Sequence, residues 1–188
     1  MKGNVVLKLK RFGSFNFILC LAIIVYLYIA SQMPSEKHPV PLPIGLNSMV
    51  KEATNQLIQQ SAKKGITVVI TDGFRSMEDQ DQLYQKGRTT AGTIVTNARG
   101  GESYHNYGLA VDFALKTSSG NVIWDRNYDG NQNRIPDWNE VVAIAKNLGF
   151  QWGGDWAQFK DYPHLQMDFD LTLADLQNGK RPPETSLK

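Results

Sequence analysis

Two histidines and an aspartate in the C-terminal part of the chain have side chains that could together bind a divalent cation. His105 lies seven residues before Asp112, and His164 follows much later. The sequence holds three histidines in all, and the third, His38, lies in a proline-rich stretch typical of solvated residues. Two imidazoles and one carboxylate leave a fourth position open, as catalytic zinc sites do. We therefore predict a zinc site at these three residues, although the same ligand set also accepts other divalent ions.

The segments around these residues alternate as β-strands do. In LAVDFAL (109–115) apolar side chains alternate with Asp112 and two alanines, and in HLQMDF (164–169) they alternate with His164 and two polar side chains. Each strand would give one face to a core and present possible ligands on the other. The alternative for these strands alone is a solvent-facing side of a sheet. Gly108 would let the His105 loop turn onto the first strand.

Two motifs resemble those of a known enzyme family. The run SYHNYGLAVD (103–112) is similar to the S-x-H-x-x-G-x-A-x-D motif of the zinc D-alanyl-D-alanine peptidases. The run DYPH (161–164) resembles the second motif of that family, an acidic residue three positions before the last histidine ligand. This form of the second motif, preceded by WGGDW (152–156), is similar to the L-alanyl-D-glutamate endopeptidase branch.

The resemblance implies a role for each candidate residue. It makes His105, Asp112 and His164 zinc ligands and Asp161 the catalytic base. Arg75 matches the substrate-facing arginine of the family, and its charge suits it to polarise a carbonyl or to bind a carboxylate; a surface arginine at a helix start is the alternative. Ser103 would hydrogen-bond either the substrate or groups that surround the metal ligands, the alternative being an ordinary loop serine.

By this resemblance the expected function is zinc-dependent hydrolysis of peptidoglycan stem peptides. Zinc lowers the pKa of a bound water towards about 7, and a nearby carboxylate can take the proton as the water attacks an amide. The preferred bond is the one between L-Ala and D-Glu. The alternatives are a D-alanyl-D-alanine carboxypeptidase and, as a different class, a non-catalytic metal-containing module that binds the cell wall, since the hedgehog signalling domain resembles this fold.

The elements that must position these residues indicate an α+β domain. Apolar residues at helical spacing predict helices before Gly65 and after Asp137, the second with Asp137 and Glu140 as its cap. Residues 66–71 are β-branched and predict a strand. Short helices are predicted from Ser76 and from Thr172. The resemblance implies a small antiparallel sheet with flanking helices.

Before this domain the sequence predicts a membrane anchor. Residues 1–11 are basic and predict a cytoplasmic tail, and residues 12–30 are uncharged and nearly long enough to cross a bilayer. Residues 31–45 hold four prolines and predict a linker, which leaves residues 46–188 as the peptidase domain outside the cell. A cleaved signal peptide is the alternative. Cleavage after Ala30 would require a small residue two positions before it, and Tyr28 occupies that position.

Charge and cysteine content exclude several other classes. Residues 12–188 carry 16 basic and 18 acidic side chains, so this part of the chain has no electrostatic reason to bind nucleic acid. The single cysteine, Cys20, excludes an internal disulfide framework. The run 125–133 resembles the start of a calcium loop, but Pro136 stands where the bidentate glutamate belongs, and a turn-rich loop is the preferred interpretation. We expect a monomer.

Overall fold

The computed structural model describes residues 23–26, 28 and 40–182. The predicted tail 1–11, most of the predicted span 12–30 and most of the predicted linker, with His38, lie outside the described residues. Residues 23–26 and 28 are helical. Within the part of the chain that is described, no helix has both the length and the apolar character needed to cross a membrane. The chain divides after Pro39, and the following account concerns the unit that begins at Val40.

This unit combines helices with one antiparallel sheet. In the described residues the sheet has five strands, in the order β1-β2-β5-β4, with β3 also paired to β2. The α+β architecture predicted from the sequence is thereby confirmed. The elements are helices α1 (Ser48–Lys63), α2 (Met77–Gln85), α3 (Asp137–Asn147) and α4 (Leu173–Gln177), and strands β1 (Thr67–Asp72), β2 (Ala110–Lys116), β3 (Val122–Ile123), β4 (Gln151–Trp152) and β5 (His164–Gln166).

The core lies between one face of the sheet and the helices α1 and α3. Val111 and Phe113 point into it from β2, and the Phe113 ring packs against Trp138 of α3 with centroids 4.4 Å apart. Leu57 of α1 and Leu165 of β5 are fully buried in the same cluster. Because successive strand residues face opposite sides, Asp112 and His164 point away from this core. The predicted alternation of the two strands is thus what separates the core from the candidate site.

Of the two helix caps predicted from the sequence, the one at Ser76 is present, and the short helix predicted from Thr172 also begins with a cap. The Ser76 hydroxyl accepts a hydrogen bond from the Asp79 backbone N–H, and Thr172 forms a capping box with Asp175. The predicted cap of α3 is wrong. Pro136 occupies the N-cap position, and Asp137 is a buried first residue of the helix whose Oδ2 accepts from the Gly130 N–H at 3.1 Å. Asp137 therefore stabilises the preceding loop through Gly130 instead of capping its own helix.

The strand predicted for 164–169 is shorter than expected. It ends at Gln166, and the backbone of Phe169 and Asp170 adopts left-handed conformations, with φ of 52° and 59°. A turn forms here, closed by a hydrogen bond from the Leu171 N–H to the Asp168 carbonyl at 2.9 Å. The apolar-polar alternation continues past the point where β5 loses its strand partners, so periodicity alone could not locate the end.

Candidate metal centre

The two histidines and the aspartate converge on the face of the sheet opposite the core. Asp112 of β2 and His164 of β5 are cross-strand partners, and His105 lies in the 3-10 turn that leads into β2. Asp112 Oδ1 is 3.4 Å from His105 Nε2 and 3.3 Å from His164 Nδ1. The two imidazole nitrogens are 3.2 Å apart. Three potential ligand atoms therefore face a common point, as the sequence predicted.

The outer nitrogen of each imidazole contacts a protein acceptor. His105 Nδ1 lies 2.7 Å from the Gly73 carbonyl oxygen, and His164 Nε2 lies 3.0 Å from Gln166 Oε1. In a neutral imidazole one nitrogen carries the proton and the other a lone pair. When the outer nitrogens donate to these acceptors, the inner nitrogens present lone pairs to the centre. This is the arrangement that a metal-binding histidine requires.

The same centre has a carboxylate oxygen that lacks a proton donor. Among the described residues, no hydrogen-bond donor reaches the buried Asp112 Oδ1. Three acceptor atoms that all lie within 4.8 Å of one another repel unless a cation lies between them. The donor set thus fits a divalent metal ion.

A tight turn and a strand irregularity bring His105 to the centre. Gly108 ends the 3-10 turn with φ of 68°, and a side chain there would collide with the Gly45 carbonyl. On the neighbouring strand the register between β1 and β2 shifts between Ile70 and Asp72, which is typical of a bulge beside a functional site. After the shift the chain leaves β1 and places the Gly73 carbonyl against His105.

Arg75 is positioned by two side chains and lines the cleft at the metal centre. Its guanidinium forms an ion pair with Asp72 and donates to Gln80 Oε1 at 2.7 Å. Gln80 is fully buried and donates to the Ala98 carbonyl at 2.8 Å. It therefore links Arg75 to Ala98, which also lines the cleft. Asn106, also buried, donates to the Arg75 carbonyl at 3.0 Å. The arginine has a fixed orientation, unlike that of a surface side chain.

Asp161 lies in the same cleft and is supported by Gly153, the first of the two glycines after Trp152. The Asp161 N–H donates to the Gly153 carbonyl at 3.1 Å, and the His164 N–H donates to the Asp161 carbonyl at 3.3 Å. Burial and the negative charge of Asp112 raise the pKa of Asp161, while the two histidines and Arg75 lower it by less. A raised carboxylate pKa beside a metal centre suits a group that accepts a proton.

The centre opens into a cleft of about 730 Å³. Apolar side chains line two parts of it: Ile94 and Val95 from the loop after α2, and Trp156 and Phe159 from the segment before β5. Trp156 packs against the ring of His164, with centroids 5.1 Å apart. The cleft is large enough for several residues of a peptide, and it brings Arg75, Asp161 and the three candidate ligands together, as the sequence predicted.

Ser103 also lines this cleft, but its hydroxyl has a local contact. It accepts a hydrogen bond from the His105 N–H at 3.3 Å and so caps the 3-10 turn. The polar residues Gln80, Asn106 and Gln166 were not identified from the sequence. Each is a buried amide, and only the three-dimensional contacts reveal that it supports Arg75 or His164. Their positions in the sequence were only a weak indication of these roles, since each amide lies within five residues of a predicted site residue.

The chain matches known proteins across this region. Residues 96–167 match the family model described as D-alanyl-D-alanine carboxypeptidase, a segment that contains all three candidate ligands and Asp161. The peptidoglycan L-alanyl-D-glutamate endopeptidase CwlK of Bacillus subtilis is 56% identical over 155 residues, which cover 80% of this chain and 93% of that protein. An L-alanyl-D-glutamate peptidase of a Listeria phage is 34% identical over 119 residues, 63% of this chain and 37% of the phage protein.

A solved structure shares the fold. The L,D-carboxypeptidase DacB of Streptococcus pneumoniae superimposes with a TM-score of 0.50 at 23% identity, covering 69% of this chain and 71% of DacB. At that identity the likeness concerns the fold alone. The identity to CwlK extends over nearly the whole of that relative, and the family match includes both histidines and both aspartates of the site. The chain therefore belongs to the D-alanyl-D-alanine carboxypeptidase family of peptidases.

Proposed function

We propose that this protein is a zinc-dependent peptidoglycan hydrolase that cuts stem peptides between L-Ala and D-Glu. The observation that carries the proposal is the 56% identity to CwlK, whose described activity is this cleavage. The site geometry supports it, since the donor set fits a divalent cation at the base of a cleft that also holds a carboxylate and an arginine. The family match concerns cell-wall peptidases, which makes stem peptides the expected substrate class.

In this proposal His105, Asp112 and His164 hold the zinc ion, and Asp161 takes a proton. When bound, zinc activates water for attack on an amide and polarises the amide carbonyl. Asp161 accepts the proton of the attacking water and later delivers it to the departing amine, which its position in the cleft and its raised pKa favour.

Arg75 contributes a fixed positive charge to the same reaction. Because Asp72 and Gln80 hold its guanidinium, the charge requires little reorganisation when negative charge develops on the scissile carbonyl or when the D-Glu side-chain carboxylate binds. The apolar side chains of Val95 and Phe159 also line the cleft, where they can contact the bound peptide.

Defined muropeptides test the bond that is cut. We expect the full-length protein with zinc to release muramyl-L-Ala and a peptide that begins with D-Glu, identified by mass spectrometry. A stem peptide shortened by one alanine would instead indicate a D-alanyl-D-alanine carboxypeptidase, the activity for which the matching family is named.

Asp161→Ala distinguishes an enzyme from a binding module. We expect this variant to retain stoichiometric zinc, because Asp161 is not among the three candidate ligands, and to lose wall hydrolysis. His164→Ala is the matched variant that should lose both. A wild-type protein that carries zinc and binds walls without releasing any peptide would establish the non-catalytic alternative.

We also propose that residues 12–30 anchor the protein in the cell membrane with the peptidase unit outside. The uncharged segment and the preceding basic residues support this topology. The protein should remain with membranes after a high-salt wash, and protease added to intact protoplasts should remove the catalytic unit. A mature form in the medium that begins near Ser31 would show signal cleavage instead.

A further inference from the structure

A chain of hydrogen bonds leads from the candidate metal ligand His164 to the protein surface. His164 Nε2 lies 3.0 Å from Gln166 Oε1, and Gln166 Nε2 donates to Gln151 Oε1 at 3.3 Å. Gln151 Nε2 then donates to Asp168 Oδ2 at 2.6 Å. Gln166 is 6% exposed and is the cross-strand partner of Gln151, so the strand pairing of β4 and β5 aligns the two amides.

Asp168, the last residue in this series of hydrogen bonds, fixes the direction in which the hydrogen bonds run. A carboxylate accepts hydrogen bonds and donates none, so Gln151 must present its NH₂ group to Asp168 and its oxygen to Gln166. Gln166 must then present its own NH₂ group to Gln151 and its oxygen to His164. The only donor left for that oxygen is the Nε2–H of His164, which leaves Nδ1 with a lone pair. Every other orientation of either amide places two donors or two acceptors face to face.

The backbone after β5 holds Asp168 in this place. Asp168 Oδ1 accepts from the Asp170 N–H at 3.0 Å, which leaves Oδ2 for Gln151. The turn that allows this has positive φ at both Phe169 and Asp170, a conformation that costs free energy in residues other than glycine. A strained turn that persists is one that the surrounding structure stabilises, and such turns cluster at functional sites.

We propose that Asp168, acting through Gln151 and Gln166, sets the tautomer of His164 so that Nδ1 is ready to bind the metal. In this proposal Gln166, Gln151 and Asp168 are positioning residues, because they act on the metal site through His164. The consequence for zinc affinity rests on the proposed metal site. The tautomer of His164 is instead a property of the metal-free protein and can be measured without zinc. Residues that orient a histidine ligand are typically worth about 10- to 100-fold in metal affinity.

The test combines a tautomer measurement with zinc affinity on the full-length protein. With ¹⁵N-labelled histidine and no metal, at a pH where His164 is neutral, we expect a protonated Nε2 and a bare Nδ1 in the wild type, with His164→Ala identifying the signals. Gln166→Met keeps the side-chain volume but removes the acceptor. We expect a mixture of tautomers and about 10- to 100-fold weaker zinc binding by chelator competition. Gln166→Glu, which still accepts from Nε2, should restore both readouts.

A variant at the protein surface tests the direction of these hydrogen bonds without changing a core residue. Asp168→Lys replaces the acceptor with a donor and should reverse both amides, which favours the His164 tautomer protonated on Nδ1. Asp170→Lys makes the same change in charge two residues away and serves as the control, with the tautomer expected to be that of the wild type.

An unchanged Nδ1-bare tautomer in Gln166→Met, or equal tautomer populations in Asp168→Lys and Asp170→Lys, would overturn the proposal. Should Gln166→Met fail to fold, as judged by circular dichroism, the Asp168→Lys and Asp170→Lys pair still decides it. A wild-type protein with the expected tautomer that does not bind zinc would contradict the proposed function and leave this inference standing.

Discussion

Arg75 is the residue whose charge acts on both the substrate region and the proposed base. Its guanidinium is ion-paired to Asp72 and lowers the pKa of Asp161, against the larger opposing effects of burial and of Asp112. A positive charge favours the carboxylate form of a neighbour, so its removal must raise the pKa of Asp161. Arg75 therefore influences the proton affinity of the proposed base, in addition to its proposed contact with the substrate.

Arg75→Gln should therefore shift the acidic limb of the pH profile. Asp161 must be deprotonated to accept a proton, and its activity is lost as the pH falls through its pKa. In the variant this loss should begin at a higher pH than in the wild type, with a roughly 10²-fold lower kcat at the optimum. The profile of kcat/KM against pH on a defined muropeptide measures both effects. Lys86→Gln removes an exposed charge outside the cleft and should leave the limb in place; an unshifted limb in Arg75→Gln would contradict the assignment.

Among the elements, the 3-10 turn Gly153–Asp155 supports both the proposed base Asp161 and the candidate metal ligand His164. A side chain at Gly153 would collide with the Asp161 carbonyl and lie 3.1 Å from the Cβ atoms of both Asp161 and His164. The WGGDW run, which in the sequence was only a mark of resemblance, thus has a packing reason. The backbone of the turn passes so close to the DYPH segment that glycine alone fits.

Gly153→Ala should displace both supported residues. We expect kcat/KM for muropeptide hydrolysis to fall roughly 10²-fold, the typical effect of a misplacement of about 1 Å in a catalytic site. Zinc affinity should also fall, because His164 shifts with Asp161. Gly45→Ala is the matched control, since a side chain there meets nothing within 4 Å. Wild-type activity in Gly153→Ala would show that the segment tolerates the extra methyl group.

Glu140 of α3 connects that helix to α1 and to the loop before it. Its Oε1 lies 2.8 Å from Lys64 Nζ, and its Oε2 accepts from the side chains of Asn131 and Asn133 at 2.9 and 2.8 Å. These contacts use the asparagines of the run that resembles a calcium loop. Burial alone would raise the pKa of Glu140, but the three hydrogen-bond donors lower it below its ordinary value of 4.5.

This lowered pKa predicts a loss of stability in acid. The folded protein keeps Glu140 charged at a pH where the unfolded chain already binds a proton, so the stabilisation is complete above pH 4.5 and disappears as the pH falls through the lower folded pKa. Glu140→Gln should reduce the free energy of unfolding by about 1–2 kcal/mol at pH 7, measured by urea denaturation, and by less in acid. Glu52→Gln removes an exposed charge from α1 and serves as control; equal losses at pH 7 and in acid would contradict this role.

At the scale of the whole molecule, the candidate metal ligands join segments that are distant in sequence. His105 lies before β2, Asp112 within it and His164 in β5, so a bound ion connects residues separated by up to 59 positions. An ion that binds the folded chain and not the unfolded one stabilises the fold in proportion to the logarithm of its concentration.

Removal of zinc should therefore lower the melting temperature. At a free zinc concentration 100 times the dissociation constant the stabilisation is about 2.7 kcal/mol, and loss of this to a chelator should lower Tm by about 5–10 °C in calorimetry. His164→Ala removes one ligand, and its Tm should respond little to the chelator. A wild-type Tm that does not change on chelation would mean that the three residues do not hold the ion in the folded state.

The local features of this protein could be predicted from its sequence. Period-two alternation placed Asp112 and His164 opposite their core-facing neighbours, and cap residues such as Ser76 and Thr172 marked helix starts, because these signals depend on side chains a few positions apart. The motifs around His105 and His164 were sufficient to predict the family and to identify the candidate ligands, which the fold brings together.

The residues that support the site could be identified only from contacts in the folded structure. Asp137 was predicted to be a helix cap and instead binds the Gly130 backbone, and the end of β5 depends on where β2 and β4 stop pairing with it. The buried amides Gln80 and Gln166 gain their roles from contacts across strands and loops. Such contacts depend on strand register and on the path of the backbone. The polar groups that these amides pair with become buried, and so need a partner, only when the chain folds.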